Sequence, residues 1–329
     1  MRTARLGSLE VSVVGLGCNN FGRALDQAGA RFVVDQALDA GITVFDTSDN
    51  YGDGQSESFL RAALGSRRDQ VVIATKFGMP VSGVPGSGGA APGYIRRAVE
   101  RSLDQLGTDY IDLYQLHKPD PEVPIGDTMA EMNALVEEGK LREVGCSNLD
   151  AEQLSESANI ARTHGLRPFL ANQIQYSLLH RAPELDGSIE VCERDNVSLL
   201  PYYPLASGML TGKAQSGQPT EGRLQMERYQ GFLTDSNFAV VDALRGFAAE
   251  REVTMVQVAL GWLLAQNTVP FVTAGATKPE QVTANAVAAA WSPSAADLAA
   301  LDAITGPSLS DAEDRPQGSR TPRQNRSSK

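Results

Sequence analysis

The sequence predicts an α/β protein folded as a closed (β/α)8 barrel of parallel strands. Three observations carry that reading. Apolar runs of four to seven residues recur eight times along the chain, the length and pattern of strands buried on both faces. A stretch with helical periodicity follows each run, which implies parallel pairing. The chain has 329 residues, a length that suits eight such units in one barrel. An open doubly wound sheet is the runner-up.

Taken in order, "RLGSLEVSVVG" at the start predicts a short hairpin ahead of the barrel. The eight runs are 13–17, 42–46, 71–76, 111–117, 143–147, 170–175, 198–202 and 271–274. Between them, "GYIRRAVERSLDQLG" places Ile95, Ala98, Val99, Leu103 and Leu106 on one helix face and stops at Gly107. "DTMAEMNALVEEGK" does the same with Met129, Met132, Leu135 and Val136 and stops at Gly139. "DAEQLSESANIARTHG" and "TMVQVALGWLLAQN" read as two more helices. Two long Gly- and Pro-bearing loops, 78–93 and 213–237, follow the third and seventh strands. That is the strand-to-helix side, where such barrels place their sites. The barrel domain is expected over 1–305. The polar, Ser-, Pro- and Arg-rich segment 306–329 is expected to be a disordered tail, and whether it covers the site stays open.

Composition narrows the function. A net charge of −11 disfavours nucleic acid and anionic membrane surfaces as partners. No run of 18 apolar residues exists, and "MRTARLGSLE" lacks the apolar core of a signal peptide, so a cytoplasmic location is expected. The three cysteines, Cys18, Cys146 and Cys192, fit a reducing compartment and read as small core residues. The three histidines, His117, His164 and His180, lack metal-ligand spacing, and no metal is expected. "GLGCNNFG" misses the G-x-G-x-x-G spacing, and "GMLTGKA" is a residue short of a P-loop with no Ser or Thr after Lys213.

The polar groups at the strand ends are more telling. In a barrel, Asp46, Lys76 and His117 end consecutive strands on one face, and Tyr51 lies in the loop after Asp46. Ionisable groups at the ends of apolar strands are costly to bury unless paired. Asp46 and Lys76 are expected to pair, and the ammonium is expected to lower the pKa of Tyr51, making the phenol a better proton donor. His117 is placed to hydrogen-bond and orient a substrate oxygen. No nucleophile of the Ser–His–acid or activated-Cys type accompanies the set, so the attacking species is expected from a cofactor, with hydride from a nicotinamide fitting best.

At these residues the sequence resembles the aldo-keto reductase family. The likeness runs from "VVGLGC" to about Trp291 through "GITVFDTSDNYG", "ATKFG", "DYIDLYQLHKPD", "REVGCSNLDAEQL", "NQIQYSLL", "PYYPLASGMLTGK" and "GATKPEQVTAN", in family order. It looks closer to the bacterial and potassium-channel β-subunit branch than to the aldose reductase branch. The resemblance implies a TIM barrel and a tetrad of Asp46, Tyr51, Lys76 and His117, with Tyr51 the proton donor. It also implies NADP(H) lying across the barrel top. By position, Ser147, Asn148 and Gln173 would hold the carboxamide, and Tyr202 would stack on the nicotinamide. Leu205, Ser207, Gly208 and Leu210, with Lys213 nearby, would bind the pyrophosphate. Gly275, Thr277, Lys278, Gln281 and Asn285 would grip the adenosine 2′-phosphate and adenine. Gln281 stands where some branches have Arg, and Ala284 where many have Glu, which weakens 2′-phosphate selection and leaves NAD(H) open as a second cofactor. Asn20, Phe21, Phe77 and the long loops would line the substrate pocket.

The function expected is NADPH-dependent reduction of aldehydes and ketones. Two alternatives stay open: a dehydrogenase of a sugar or pyridoxal-like alcohol, and a cofactor-sensing regulatory subunit with little turnover. The oligomeric state is not readable.

Overall fold

The structure is a computed structural model, and it describes residues 1–219 and 222–306. The chain opens with an antiparallel hairpin of β1 (Thr3–Leu6) and β2 (Leu9–Ser12). Eight parallel strands follow: β3 (Val14–Gly17), β4 (Val44–Asp46), β5 (Val72–Phe77), β6 (Ile111–Leu116), β7 (Leu141–Ser147), β8 (Ala171–Gln175), β9 (Ser198–Tyr202) and β10 (Val272–Gly275). Their order is β10-β3-β4-β5-β6-β7-β8-β9, each hydrogen-bonded to the next. At the remaining seam, the Leu199 amide donates to Thr268 O at 2.8 Å, just ahead of β10. The sheet thus curls into the nearly closed (β/α)8 barrel that the sequence predicts.

The helices ring it: α1 (Gln27–Asp39), α2 (Ser56–Leu64), α3 (Pro92–Leu106), α4 (Ile125–Glu137), α5 (Ala151–His164), α6 (Ser188–Asp195), α7 (Asp235–Glu250), α8 (Met255–Leu264), α9 (Pro279–Ala288) and α10 (Ala295–Thr305). Local chemistry sets several boundaries. Pro92 opens α3, where its missing N–H leaves no helical bond unmade, and Gly107 ends it at φ 63°. Asp150 and Gln153 form a reciprocal capping box on α5, and Thr254 and Gln257 form another on α8. α4 starts two residues before the predicted helix and its last residue lies two short of Gly139. The second barrel strand is shorter than predicted and the last is shifted by one residue. The 213–237 loop is partly ordered by 3-10 turns at Gly222–Gln225 and Glu227–Phe232, and α7 begins inside it. Of the expected tail, 307–329 lie outside the described residues.

Two apolar layers hold the fold. The larger lies between barrel and helices. The smaller fills the barrel bottom, where Leu6, Leu9 and Val11 of the hairpin pack on Val44, Ala74, Leu113, Ala171, Leu200 and Phe271. Side chains alternate along a strand, so the residue two positions on shares the same interior face. Above Val44 stands Asp46, above Ala74 Lys76, above Leu113 Gln115, above Ala171 Gln173 and above Leu200 Tyr202. The barrel is therefore greasy at its floor and polar at its C-terminal mouth. Among the described residues no helix is long and apolar enough to cross a membrane.

Candidate active site

Asp46 and Lys76 meet inside the mouth. Lys76 has no exposed surface, and its ammonium donates to Asp46 Oδ1 at 2.8 Å, Asp46 Oδ2 at 2.9 Å and Thr47 O at 2.8 Å. The ammonium also hydrogen-bonds the Tyr51 side chain. Burial works against the charge, but Asp46 and then Tyr51 outweigh it, and the Lys76 pKa is raised. Gln173 Nε2 donates to Asp46 Oδ1 at 3.0 Å and fixes the carboxylate from a third strand.

Tyr51 begins a 3-10 turn, Tyr51–Gly54, that leaves β4. Its ring centre lies 5.1 Å from Lys76 Nζ. Gly52 sits at φ 58°, and a Cβ there would fall 2.1 Å from Phe21 O. Only glycine fits this close approach, so the turn that presents Tyr51 depends on it. One expectation is corrected here. The Tyr51 pKa is raised, because burial disfavours the phenolate more than Lys76 favours it. The phenol is thus held protonated, a donor with the ammonium poised to receive the charge its proton leaves behind.

His117 directly follows β6 and meets Tyr51 edge-on, with ring centres 5.8 Å apart. Its backbone is held on both sides: its N–H donates to Phe77 O at 2.8 Å, and its carbonyl accepts from Asn148 Nδ2 at 3.0 Å. Burial, and then the Lys76 charge, push its pKa down to about 3. The imidazole is neutral at any ordinary pH.

Ser147, Asn148, Gln173 and Tyr202 join this cluster through their own bonds. Ser147 Oγ donates to Gln173 O at 2.7 Å. Asn148, at φ 61°, donates to Ser147 Oγ at 3.0 Å and accepts from Tyr202 Oη at 3.0 Å. Tyr202 also packs edge-on against Tyr203, which reaches Tyr229. Asp46, Tyr51, Lys76, His117, Ser147, Asn148, Gln173 and Tyr202 are therefore one connected constellation drawn from six strand ends and their loops.

The turn expected to hold a pyrophosphate is 3-10 helix Ala206–Thr211. Ala206, Ser207 and Gly208 all have positive φ, at 45°, 55° and 113°. The N–H groups of Gly208 and Leu210 close the turn onto Leu205 O at 2.8 and 3.2 Å, so they are used internally. Ser207 differs: its Oγ is buried without a partner among the described residues, and a Cβ on neighbouring Gly208 would meet nothing within 4 Å. An orphaned hydroxyl beside open space is what a polar ligand group would satisfy. Lys213 is exposed on the same loop.

Across the mouth, Gly275 ends β10. Gln281 folds back on Thr277, accepting from its N–H at 2.7 Å and from its hydroxyl at 3.2 Å. The residue standing in place of an Arg is thus a local cap. Lys278 is exposed at the N-cap of α9, and Asn285 is buried within that helix. Of the residues expected to line a substrate pocket, Asn20 is buried, with Nδ2 donating to Ala276 O at 3.1 Å. Phe21 and Phe77 have no exposed surface, and Phe77 stacks on Tyr114 with ring centres 4.9 Å apart. Both aromatic rings are core residues in this structure.

Several neighbours of the site were invisible to sequence reasoning. Arg223 reaches across from the 222–225 turn to Asn19 Oδ1 at 2.5 Å and Asn20 Oδ1 at 2.7 Å. It bridges about two hundred residues of chain, and no local pattern announces it. Ser48 binds His117, and only its place between Asp46 and Tyr51 hinted at it. Asp49 is buried against Arg101 at 2.7 Å, and burial together with Glu57 lifts its pKa to about 7. Gln115 is buried in the barrel with both amide atoms unpartnered among the described residues.

Fold and site together define a barrel enzyme whose titratable groups converge on the C-terminal mouth. Comparison with known proteins makes this particular. The model of the aldo/keto reductase family matches residues 13–305. The chain is 33% identical over 308 residues to a Glycine max protein named Probable aldo-keto reductase 1, covering 91% of this chain and 87% of that protein. It is 31% identical over 279 residues to L-glyceraldehyde 3-phosphate reductase of Escherichia coli (strain K12), covering 81% of this chain and 80% of that protein. The chain belongs to the aldo/keto reductase family and is an oxidoreductase.

Proposed function

We propose that this protein reduces aldehydes or ketones to alcohols with NADPH, with Tyr51 delivering the proton. One observation carries the reading: a buried Lys76 ammonium, locked by Asp46, lies beside a protonated Tyr51 and a neutral His117. Proton donation by Tyr51 leaves negative charge where the ammonium already stands, so the charge separation is small as the proton moves. Nothing in the cluster attacks carbon. The nicotinamide supplies hydride when bound, and Tyr202 would pack on its ring.

The residues at the mouth fit a dinucleotide. Gln173 Oε1 remains an acceptor for an amide N–H2, and Ser147 and Asn148, whose own protons go to Gln173 O, His117 O and Ser147 Oγ, add acceptor oxygens beside it. The orphaned Ser207 hydroxyl suits a phosphate oxygen. Arg223, which among the described residues donates to the neutral amide oxygens of Asn19 and Asn20, is a cation that would offset a diphosphate. Lys278, at the N-terminus of α9, suits the 2′-phosphate that distinguishes NADPH.

The test is NADPH oxidation by purified protein against a panel of aldehydes, ketones and sugars, with NADH and Tyr51→Phe alongside. The name of the Escherichia coli relative puts L-glyceraldehyde 3-phosphate on that panel. Turnover that requires Tyr51 is expected. Equal turnover without the Tyr51 hydroxyl overturns the mechanism. Tight NADPH binding with no turnover favours the oxidative or regulatory reading.

A further inference from the structure

Tyr51 is presented by a turn that would not hold its shape alone. Gly52, Asp53 and Gly54 follow it at φ 58°, 55° and 88°. Successive residues in the left-handed region, one of them not glycine, persist only where their surroundings fix them. Here a buried carboxylate stands on either side of the turn. Before it, Asp49 is 2% exposed, and Arg101 Nη2 of α3 donates to its Oδ2 at 2.7 Å. The Asp49 N–H donates to Lys76 O at 3.1 Å, so the same residue is tied to β5 through its backbone. After the turn, Glu57 is 1% exposed and accepts from Thr75 Oγ1 of β5 at 2.6 Å. The two carboxylates repel each other, and Arg101 attracts both. Lys76, the other cation near Glu57, is already bound to Asp46.

Stability does not account for the Asp49–Arg101 pair. Taking two charges out of water costs about as much as their attraction returns, and apolar residues of the same volume would join α3 to the turn as well. What the ion pair adds is direction. A charge-assisted bond fixes its partners at one distance, where apolar contacts slide. Direction matters at this place, because a reacting group displaced by about 1 Å loses about 10²-fold in rate. We propose that Arg101 is a positioning residue for Tyr51: by gripping Asp49 it clamps the turn between α3 and β5 and holds the phenol in register with Lys76. The clamp is read from these contacts alone. Its effect on rate rests on Tyr51 being the proton donor of a carbonyl reductase.

The experiment separates the two. Measurements are made well above pH 7, with Asp49 ionised. Amide hydrogen exchange of the full-length protein tests the clamp without any substrate. In the parent, the Asp49 and Tyr51 amides are expected to exchange as slowly as those of β5. Fast exchange there overturns the proposal, and it does so even if no variant folds. The double variant Asp49→Leu with Arg101→Met removes both charges together, so its urea midpoint is expected to stay near that of the parent. In it the same two amides are expected to exchange about ten-fold faster or more, while the β5 amides hold. Carbonyl turnover then tells positioning from structure. In the double variant kcat is expected to fall about 10–10²-fold, with KM for the carbonyl and NADPH affinity unchanged. Arg101→Lys, which keeps the charge, should retain more of kcat than Arg101→Met. Parent-like exchange or parent-like kcat in the stable double variant overturns the assignment. If the parent turns over no carbonyl compound, the reductase reading fails, and the exchange rates still decide the clamp.

Discussion

Lys76 meets Asp46 through both carboxylate oxygens, at 2.8 and 2.9 Å, with the lysine fully buried and the aspartate nearly so. Removing one member of a buried pair leaves the other charge uncompensated, at a cost of about 3–5 kcal/mol. Asp46→Asn is expected to lower the urea midpoint accordingly and to abolish carbonyl reduction. Adding Lys76→Met to that variant should recover part of the stability and none of the activity. Equal stability of parent and Asp46→Asn in denaturant titration would show that the pair does not hold the mouth together.

Tyr51→Phe removes one hydroxyl from a ring that otherwise stays packed beside His117. NADPH affinity, followed by fluorescence titration, is expected to hold. The turnover number should fall by about 10²–10⁴-fold, the usual contribution of a positioned proton donor.

Asp49 supplies a pH signature. Its pKa in the fold, about 7, lies above the ordinary value of 3.8. Between those two values the folded protein holds a proton that the unfolded chain has released, so stability falls as pH rises from about 4 to 7 and then levels. Denaturation curves across that window should show this slope in the parent. Asp49→Asn should flatten it, and an identical slope in the variant assigns it to other groups.

Lys278→Ala should weaken NADPH more than NADH, because the lysine is proposed to meet the 2′-phosphate that only NADPH carries. Equal losses measured by titration of both cofactors would remove Lys278 from that role.

The barrel and the convergence of Asp46, Lys76, Tyr51 and His117 at its mouth were legible because apolar strands end abruptly in groups that are costly to bury. Asp46, Lys76 and His117 each stand where an apolar run stops, and topology alone brings such ends together. What stayed hidden depends on distance and burial. Arg223 reaches Asn19 and Asn20 only after the chain has closed on itself. The Tyr51 pKa rises although its charged neighbour argues for a fall, since desolvation is a property of the packed site and not of sequence spacing. Phe77 follows Lys76 and Phe21 follows Asn20 along the chain, yet both rings turn into the core.

The hairpin at the start of the chain has a kinetic meaning. Its apolar face seals the barrel floor, and its turn is fastened to β7 by the N–H and hydroxyl of Ser8, which both donate to Glu143 Oε1, at 2.9 and 2.5 Å. The vessel is corked at one end. With the floor filled by side chains, the mouth is the side by which a bound molecule would come and go.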